Sequence, residues 1–584
     1  MRRIGGMLIG ALALAGCATT ATRPAAPVEI TIIGMNDFHG NLEPPRRTVT
    51  VPADASGPEV RAPAGGGAYL AGAINAIRAR SPNNLVVSAG DLISASPLTS
   101  SLFLDEPTIL AMNLAGLDFN AVGNHEFDRG RAELLRLDRG GCEKHTPRQP
   151  CALDSAFPGA SFPILAANVT TETGETLLPP YGIRRFGRGR SAVDVAVIGM
   201  TLRGTPSVVA PAGIRGLTFR DEAETVNALI PRLKGEGAEL VVVLIHQGLD
   251  TRGSYNAKTC EGLSGDLMEV LQRLSPEVDL VVSGHTHNAY ICDYGTVDPS
   301  RPFLVTSAGS YGTLLTEIRL RVDPRTGAVM SRTADNHIVQ GEGYSNSSGT
   351  VAVSGRVPRI QADPGVAALI ERYRAAAAPL AARRVGRLRG PADRETVPSG
   401  ESVLGNLVAD AQLAATRASG AQIAFMNPGG LRANLVPAAD GSVSFGDLYA
   451  VQPFGNVLTV CSFTGRQLRA ILEQQWASRS SSVESPRVLL PSAGFTYAYD
   501  TSRPAGQRVS DIRLNGTPIA DDQIVRIAIS NFLAGGGDDF TTFAAGTNET
   551  GGPQDIDALE AYFAANPDLA PPLTNRIRNL SPPR

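Results

Sequence analysis

Ile30-Thr31-Ile32-Ile33-Gly34-Met35 is a short apolar run that ends in Asn36-Asp37-Phe38-His39-Gly40, placing a carboxylate and an imidazole two residues apart. The same grammar recurs along the first half of the chain. Leu85–Ser88 leads into Ala89-Gly90-Asp91, and Phe119–Val122 into Gly123-Asn124-His125-Glu126-Phe127-Asp128. Leu240–Ile245 is followed by His246, and Val278–Val282 by Ser283-Gly284-His285-Thr286-His287. Val193–Gly199 is a further apolar run of this kind. Near-continuous Val/Ile/Leu runs predict strands buried on both faces, as in a layered α/β domain. In such sheets the carboxyl ends of the strands converge on one crevice where ligands bind. Five strand ends therefore deliver Asp37, His39, Asp91, Asn124, His246, His285 and His287 to one place. Of the seven histidines, only His145 and His337 lie outside these motifs.

Hard carboxylate and amide oxygens mixed with imidazoles suit Mn, Zn, Fe or Co. The donors exceed what one four-coordinate ion needs, which predicts two divalent ions. His125 follows Asn124 and should project over the site without ligating. Asp128, three residues on, can orient its ring if the turn is helical. Glu126 reads as a residue that packs or that supports the ligands from behind.

Asp-x-His, Gly-Asp, Gly-Asn-His-Glu and Gly-His-x-His, in this order, resemble the calcineurin-like metallophosphoesterases. The resemblance implies one ion on Asp37, His39 and His287, another on Asn124, His246 and His285, and Asp91 bridging both, with Zn, Mn and Co as the leading metals. Nucleotidase members often carry Gln where this chain has His287. Two cations would lower the pKa of a shared water and neutralise the phosphoryl oxygens for in-line attack. His125, with Asp128 as partner, would stabilise the transition state or protonate the leaving oxygen.

After a Gly/Ser-rich stretch from Gly341 to Val357, Asp363-Pro364 reads as an N-cap and first-turn proline. Val366, Leu369, Ile370 and Tyr373 repeat at helical spacing, and Pro379 is expected to stop the helix. That helix is either a linker or the last helix of the first domain. Beyond it come Glu401-Ser402-Val403-Leu404-Gly405-Asn406-Leu407, Asn427-Pro428-Gly429-Gly430-Leu431-Arg432, Gln452-Pro453-Phe454-Gly455-Asn456 and Asn531-Phe532-Leu533-Ala534-Gly535-Gly536-Gly537-Asp538-Asp539-Phe540. These look like the C-terminal domain of bacterial and animal 5′-nucleotidases and UDP-sugar hydrolases. The resemblance implies that Arg432 contacts phosphate, helped by Asn427 and the backbone at Gly430. It further implies that Phe454 and Phe532 sandwich the base and that Asp538 binds ribose hydroxyls. Thr396-Val397-Pro398-Ser399-Gly400 stands where relatives carry further phosphate-binding Arg, and Arg394 is a conceivable substitute.

The expected architecture is α/β and two-domain. An N-terminal four-layered α/β/β/α metallophosphoesterase sandwich is joined by a linker helix to a smaller α+β substrate-binding domain. The boundaries read 28–345 for the catalytic domain, 346–384 for the linker and 385–584 for the substrate domain. At 584 residues, 43% hydrophobic and 19% charged, the chain can fill such cores, which excludes a mostly disordered protein. A net charge of −3 argues against a protein that grips a nucleic-acid polymer by bulk charge.

Arg2 and Arg3 precede an apolar run from Ile4 to Ala15, too short to span a bilayer but suited to a signal peptide over 1–16. Leu14-Ala15-Gly16-Cys17 resembles a bacterial lipobox, which implies a lipid on Cys17, a tether over 17–27 and a place in the cell envelope as a periplasmic or surface lipoprotein. In an oxidising compartment Cys142–Cys151 and Cys260–Cys292 are the expected bridges, with Cys461 a buried thiol. The reading is a secreted 5′-nucleotidase acting on nucleoside 5′-monophosphates, with no obligate protein partner. UDP-sugar or 2′,3′-cyclic-nucleotide hydrolysis is the near rival. A nucleotide-binding lipoprotein whose hydrolysis has decayed is the rival of another class, and the intact donor set speaks against it.

Overall fold

The computed structural model describes residues 26–582 except 55–56, 147, 190–191, 347–348 and 479–480. The segments expected as signal peptide and, for the most part, tether lie outside the described residues, as does Cys17.

Two six-stranded sheets dominate the first half. One runs Val329–Ile338, Leu314–Val322, Val28–Met35, Asn84–Ser88, Phe119–Ala121, Ile164–Leu165, the last four strands mutually parallel. The other runs Ala289–Asp293, Leu304–Ala308, Leu280–Ser283, Leu240–Ile245, Val193–Met200, Tyr181–Phe186, parallel through its four central strands. Strand alternation explains why the runs are apolar throughout. Ile30, Ile32, Leu85 and Val87 face Val195, Val197, Val242 and Leu244 between the sheets. Ile33 and Val86 face the helices Gly67–Arg78 and Glu106–Ala115, while Val241 and Val243 face Glu222–Gly235 and Leu267–Arg273. The order of layers is thus α/β/β/α, as expected. Each buried Val, Leu or Ile here contributes roughly 1.5–3 kcal/mol.

Register then positions the motifs. Met35 pairs with Ser88 and Ser88 with Asn120, while Ile245 aligns with Ser283. All five strands end at one rim, so the residues that follow them meet.

The helix Pro364–Ala381 is capped by Asp363, whose side chain accepts from the Val366 N–H. Val366 and Ile370 enter the core beneath the first sheet, and Tyr373 meets the Phe103 ring at 4.9 Å. The helix is therefore docked on the first half. Pro379 does not stop it. In the last turn the proline ring forfeits a single backbone hydrogen bond, and the helix continues to Ala381.

The second half holds a five-stranded sheet ordered Leu490–Pro491, Ile423–Met426, Ile524–Ser530, Val457–Thr464, Thr547–Gln554, with a four-stranded sheet beside it. Helices Val403–Thr416, Gly465–Glu473 and Asp555–Ala565 accompany them, an α+β arrangement. Cys142–Cys151 and Cys260–Cys292 are disulfide-bonded, and Cys461 is a buried free thiol in Val457–Thr464, as expected. Among the described residues no helix is long and apolar enough to cross a membrane.

Asp555 opens its helix fully buried, accepting from the Ile556 N–H and the Asn456 side chain. Burial pushes its carboxyl up to about 7, and those two hydrogen bonds offset this only in part. The folded chain then holds a proton that the unfolded chain loses near the ordinary 3.8. Stability from this group is complete below that value and lost as pH rises through about 7. Asp555→Asn should flatten a fall on the order of 2–4 kcal/mol between pH 4 and 8, read by urea denaturation. An unchanged slope would assign the pH dependence to other groups.

Candidate active site

At the shared rim, Asp37, His39 and His287 form one donor cluster and Asp91, His246 and His285 another. His39 Nε2 lies 3.2 Å from His287 Nε2, which lies 3.3 Å from Asp37 Oδ1. Asp91 Oδ2 stands between the clusters, 3.6 Å from His39 Nε2 and 3.1 Å from His246 Nε2. Asn124 Oδ1 is 3.2 Å from His246 Nε2. The residues expected as ligands are therefore brought to one place.

The donor set fits two cations on its own chemistry. His39 Nδ1 donates to the Ser94 carbonyl at 2.9 Å and His246 Nδ1 to the Ala89 carbonyl at 2.8 Å, which turns each Nε2 into the site. Burial holds His285 down at about 3 and His39 well below its ordinary value, leaving neutral imidazoles with free lone pairs. Burial opposes ionisation of Asp37, yet the charge and hydrogen bond of His287 together with the charge of His246 outweigh it and hold the carboxyl at about 2. Burial likewise disfavours a charged His246, but Asp91 beside it raises the ring to about 10. The pocket thus demands positive charge where lone pairs converge, and divalent ions supply it.

The backbone is bent to the same end. Asp37, His39, Asp91, His285 and His287 all have φ between 46° and 73°. Non-glycine residues in this region are uncommon, cost about 1–3 kcal/mol each and cluster at functional sites. Gly123 and Gly284 make room, since a Cβ on either would collide with the Asp91 and Asp37 carboxylates. Glu126 is buried and accepts from the N–H groups of Gly123, Leu92 and Asp91 at 2.7, 2.8 and 3.0 Å, tying two donor loops together.

His125 opens a 3₁₀ turn that brings Asp128 Oδ2 to 2.8 Å from its Nδ1, and its N–H donates to Asp91 Oδ1 at 2.9 Å. Burial lowers its proton affinity, but Asp128 and then Asp91 raise it above the ordinary imidazole value. Its donor atom also lies within reach of His39 and Asp91, a distance at which it could share an ion with them.

His125 and Asp128 form one wall of a cleft whose other wall comes from the second half. Arg432 Nη2 reaches 3.3 Å from His39 Nε2, and Phe454 stacks on the His125 ring at 5.6 Å. Phe532, Gly430 and Asp538 line the cleft as well. Asp538, itself at φ 55°, accepts from Asn427 Nδ2 at 2.7 Å and Arg487 Nη1 at 2.8 Å. Asn427 thus sits at the Asp538 end of the cleft. Arg47, Arg487 and Tyr311 are additions that the sequence motifs do not single out. Arg47 and Tyr311 flank His287, and no motif spacing announces either.

The calcineurin-like phosphoesterase family matches residues 30–289, and the 5′-nucleotidase C-terminal domain matches 384–545. The chain is 31% identical to the endonuclease YhcR of Bacillus subtilis (strain 168) over 94% of its own length but covers 40% of that protein. It is 31% identical to the cell wall protein Lmo0130 of Listeria monocytogenes, covering 92% of this chain and 67% of that one. The crystal structure of a 5′-nucleotidase precursor from Thermus thermophilus superposes with a TM-score of 0.73 at 24% identity, covering 95% of this chain and all of that one.

Proposed function

Because the chain belongs to the family that joins a calcineurin-like phosphoesterase domain to a 5′-nucleotidase C-terminal domain, and is a phosphoric ester hydrolase, we propose that it is an exported, metal-dependent 5′-nucleotidase. It converts nucleoside 5′-monophosphates and water to nucleosides and phosphate. Residues 28–345 carry the chemistry, 346–384 link, and 385–584 select the substrate. The two disulfides favour an oxidising compartment, and Cys17 would carry the lipid anchor.

The observation that carries this reading is the continuity of the cleft. Asn124, His125 and His285 of the donor site line it together with two aromatic rings and a carboxylate held ready by two donors, and the Asp91 carboxylate lies beside His125 and His285. Asp37, His39 and His287 would hold one ion, Asn124, His246 and His285 the other, and Asp91 both. Divalent ions held there would neutralise charge on the phosphoryl oxygens and lower the pKa of a bound water. Arg432 presents its planar fork to the phosphoryl group. His125, turned by Asp128 so that Nε2 faces the cleft, donates a proton to the departing 5′ oxygen. Phe454 and Phe532 take the base, and Asp538 accepts from the ribose hydroxyls.

Phosphate release from AMP, UMP, UDP-glucose, 2′,3′-cyclic AMP, an aryl phosphate and single-stranded DNA, side by side, tests the assignment. The monophosphates should lead. Preferred cleavage of DNA would favour the activity named for the Bacillus relative. Phe532→Ala should weaken nucleotide use by ~1–3 kcal/mol in kcat/KM, the cost of an aromatic–base stack, and spare the aryl phosphate. Phe454→Ala should cost as much for nucleotides and, because this ring covers His125, also disturb the aryl phosphate. Equal loss of both substrates in the Phe532 variant would make that ring structural.

A further inference from the structure

Three guanidinium groups gather around Arg432 beside the donor clusters, and none forms an ion pair with a carboxylate among the described residues. Arg47 Nη2 and Arg394 Nη1 both donate to the Arg432 carbonyl, at 3.4 and 3.3 Å. Arg432 turns its own Nη2 to His39, and its Nε is buried without a partner. Elsewhere in the molecule, buried arginines are neutralised. Arg136 lies between Glu133 and Glu106, Arg129 meets Asp105, and Arg576 meets Asp410. Burial pushes Arg394 below the usual arginine range, and the neighbouring charges of Arg432 and Arg47 push it further, with Tyr311 and Glu395 opposing. Like charges held together out of water require a counter-charge. Glu395 and Tyr311 answer Arg394 only in part, and no carboxylate among the described residues forms an ion pair with any of the three, which leaves a place for an anionic ligand.

Arg47 is held in place by its surroundings. It begins the strand Arg47–Val51, hairpinned to Val60–Ala64, and its guanidinium lies 4.3 Å over the Tyr311 ring. That ring is 5.2 Å from His287 and 5.8 Å from His39. The stacked face of the guanidinium leaves its edge free to donate in plane. It shares a pocket with His287, and its bond to the Arg432 carbonyl makes the two arginines neighbours at the edge of the donor cluster.

We propose that Arg47 is a phosphate-binding residue that the metal-bearing half of the chain contributes, closing with Arg394 and Arg432 a three-guanidinium clamp around the dianionic phosphoryl group. This rests on the nucleotidase reading for the identity of the substrate, though not for the identity of the anion. Because Arg47 belongs to one half and Arg394 and Arg432 to the other, the phosphoryl group would be held by both halves at once.

The test uses the full-length, metal-loaded protein with Arg47→Ala and Arg47→Lys. In Arg47→Ala, KM for both AMP and 4-nitrophenyl phosphate should rise about 10–100-fold, the worth of a hydrogen bond to a charged group. Competitive inhibition by inorganic phosphate should weaken by the same factor and inhibition by adenosine should not, while Arg47→Lys recovers part of the loss. The thermal midpoint should be unmoved, since Arg47 lies on a partly exposed hairpin. If AMP alone suffers and the aryl phosphate and inorganic phosphate are unaffected, Arg47 merely docks the two halves through the Arg432 carbonyl and the proposal is overturned. Calorimetric titration of inorganic phosphate reads the clamp directly. Equal phosphate affinity in wild type and Arg47→Ala rejects it, whereas wild-type inactivity on AMP with intact, Arg47-dependent phosphate binding would reject only the nucleotidase reading.

Discussion

Asp91→Asn should strip the protein of metal and leave phosphate release barely above background. The substitution keeps the shape of the side chain and leaves an oxygen to accept from the His125 N–H at 2.9 Å. It removes the charge that stands 3.1 Å from His246 Nε2 and 3.6 Å from His39 Nε2. Asp37 then remains as the only carboxylate among the proposed ligands. Two cations in one buried pocket repel each other, and a shared anion offsets that repulsion. Metal affinity should therefore fall by more than the roughly 10–100-fold that loss of an outer hydrogen-bond partner costs. Elemental analysis after dialysis, with initial rates on the same sample, reads both effects. Full metal content with near-native turnover would show that Asp91 does not bridge.

His125→Ala should behave in the opposite sense, retaining metal while kcat falls by ~10²–10⁴, the range for a positioned acid–base group. The metal reading matters because His125 lies within reach of His39 and Asp91. A parallel loss of metal would make it a ligand. Asp128 supplies the second arm of this test. Its carboxylate opposes the effect of burial and raises the His125 proton affinity, so Asp128→Asn should lower it. For a group that acts as an acid, activity is present below its pKa and lost above it. The alkaline limb of the kcat profile should accordingly move to lower pH in Asp128→Asn. An unmoved limb would remove His125 from the proton-transfer role.

Both variants concern residues that are legible in the sequence, because their signal is local. An apolar run followed by a donor states a strand and its end together, and parallel register does the rest, aligning Met35, Ser88 and Asn120 on one rim and Ile245 with Ser283 on the same side. The three-residue spacing of His125 and Asp128 needs only a helical turn, which is present. What escapes is tertiary. The left-handed backbone at Asp37, His39, Asp91, His285 and His287 is imposed by packing and leaves no residue-type mark, since these are not glycines. Arg394 is visible in the sequence only as a substitute for a missing arginine, whereas Arg47, in the first half and outside any donor motif, becomes its neighbour at the Arg432 carbonyl only when the two halves meet. The Pro364–Ala381 helix outruns its expected end because a proline in a last turn sacrifices too little to halt it. Its docking on the first half depends on which core is nearest, which periodicity cannot state.

The central claim is that two ions held by these donors let the chain release phosphate from nucleoside 5′-monophosphates. Chelated protein titrated with Mn²⁺ or Zn²⁺, with AMP hydrolysis followed at each addition, tests it most directly. The account predicts no release from the stripped protein and recovery of activity that reaches its plateau at two equivalents per chain. Undiminished AMP hydrolysis by the fully stripped protein, or a plateau at one equivalent, would contradict it.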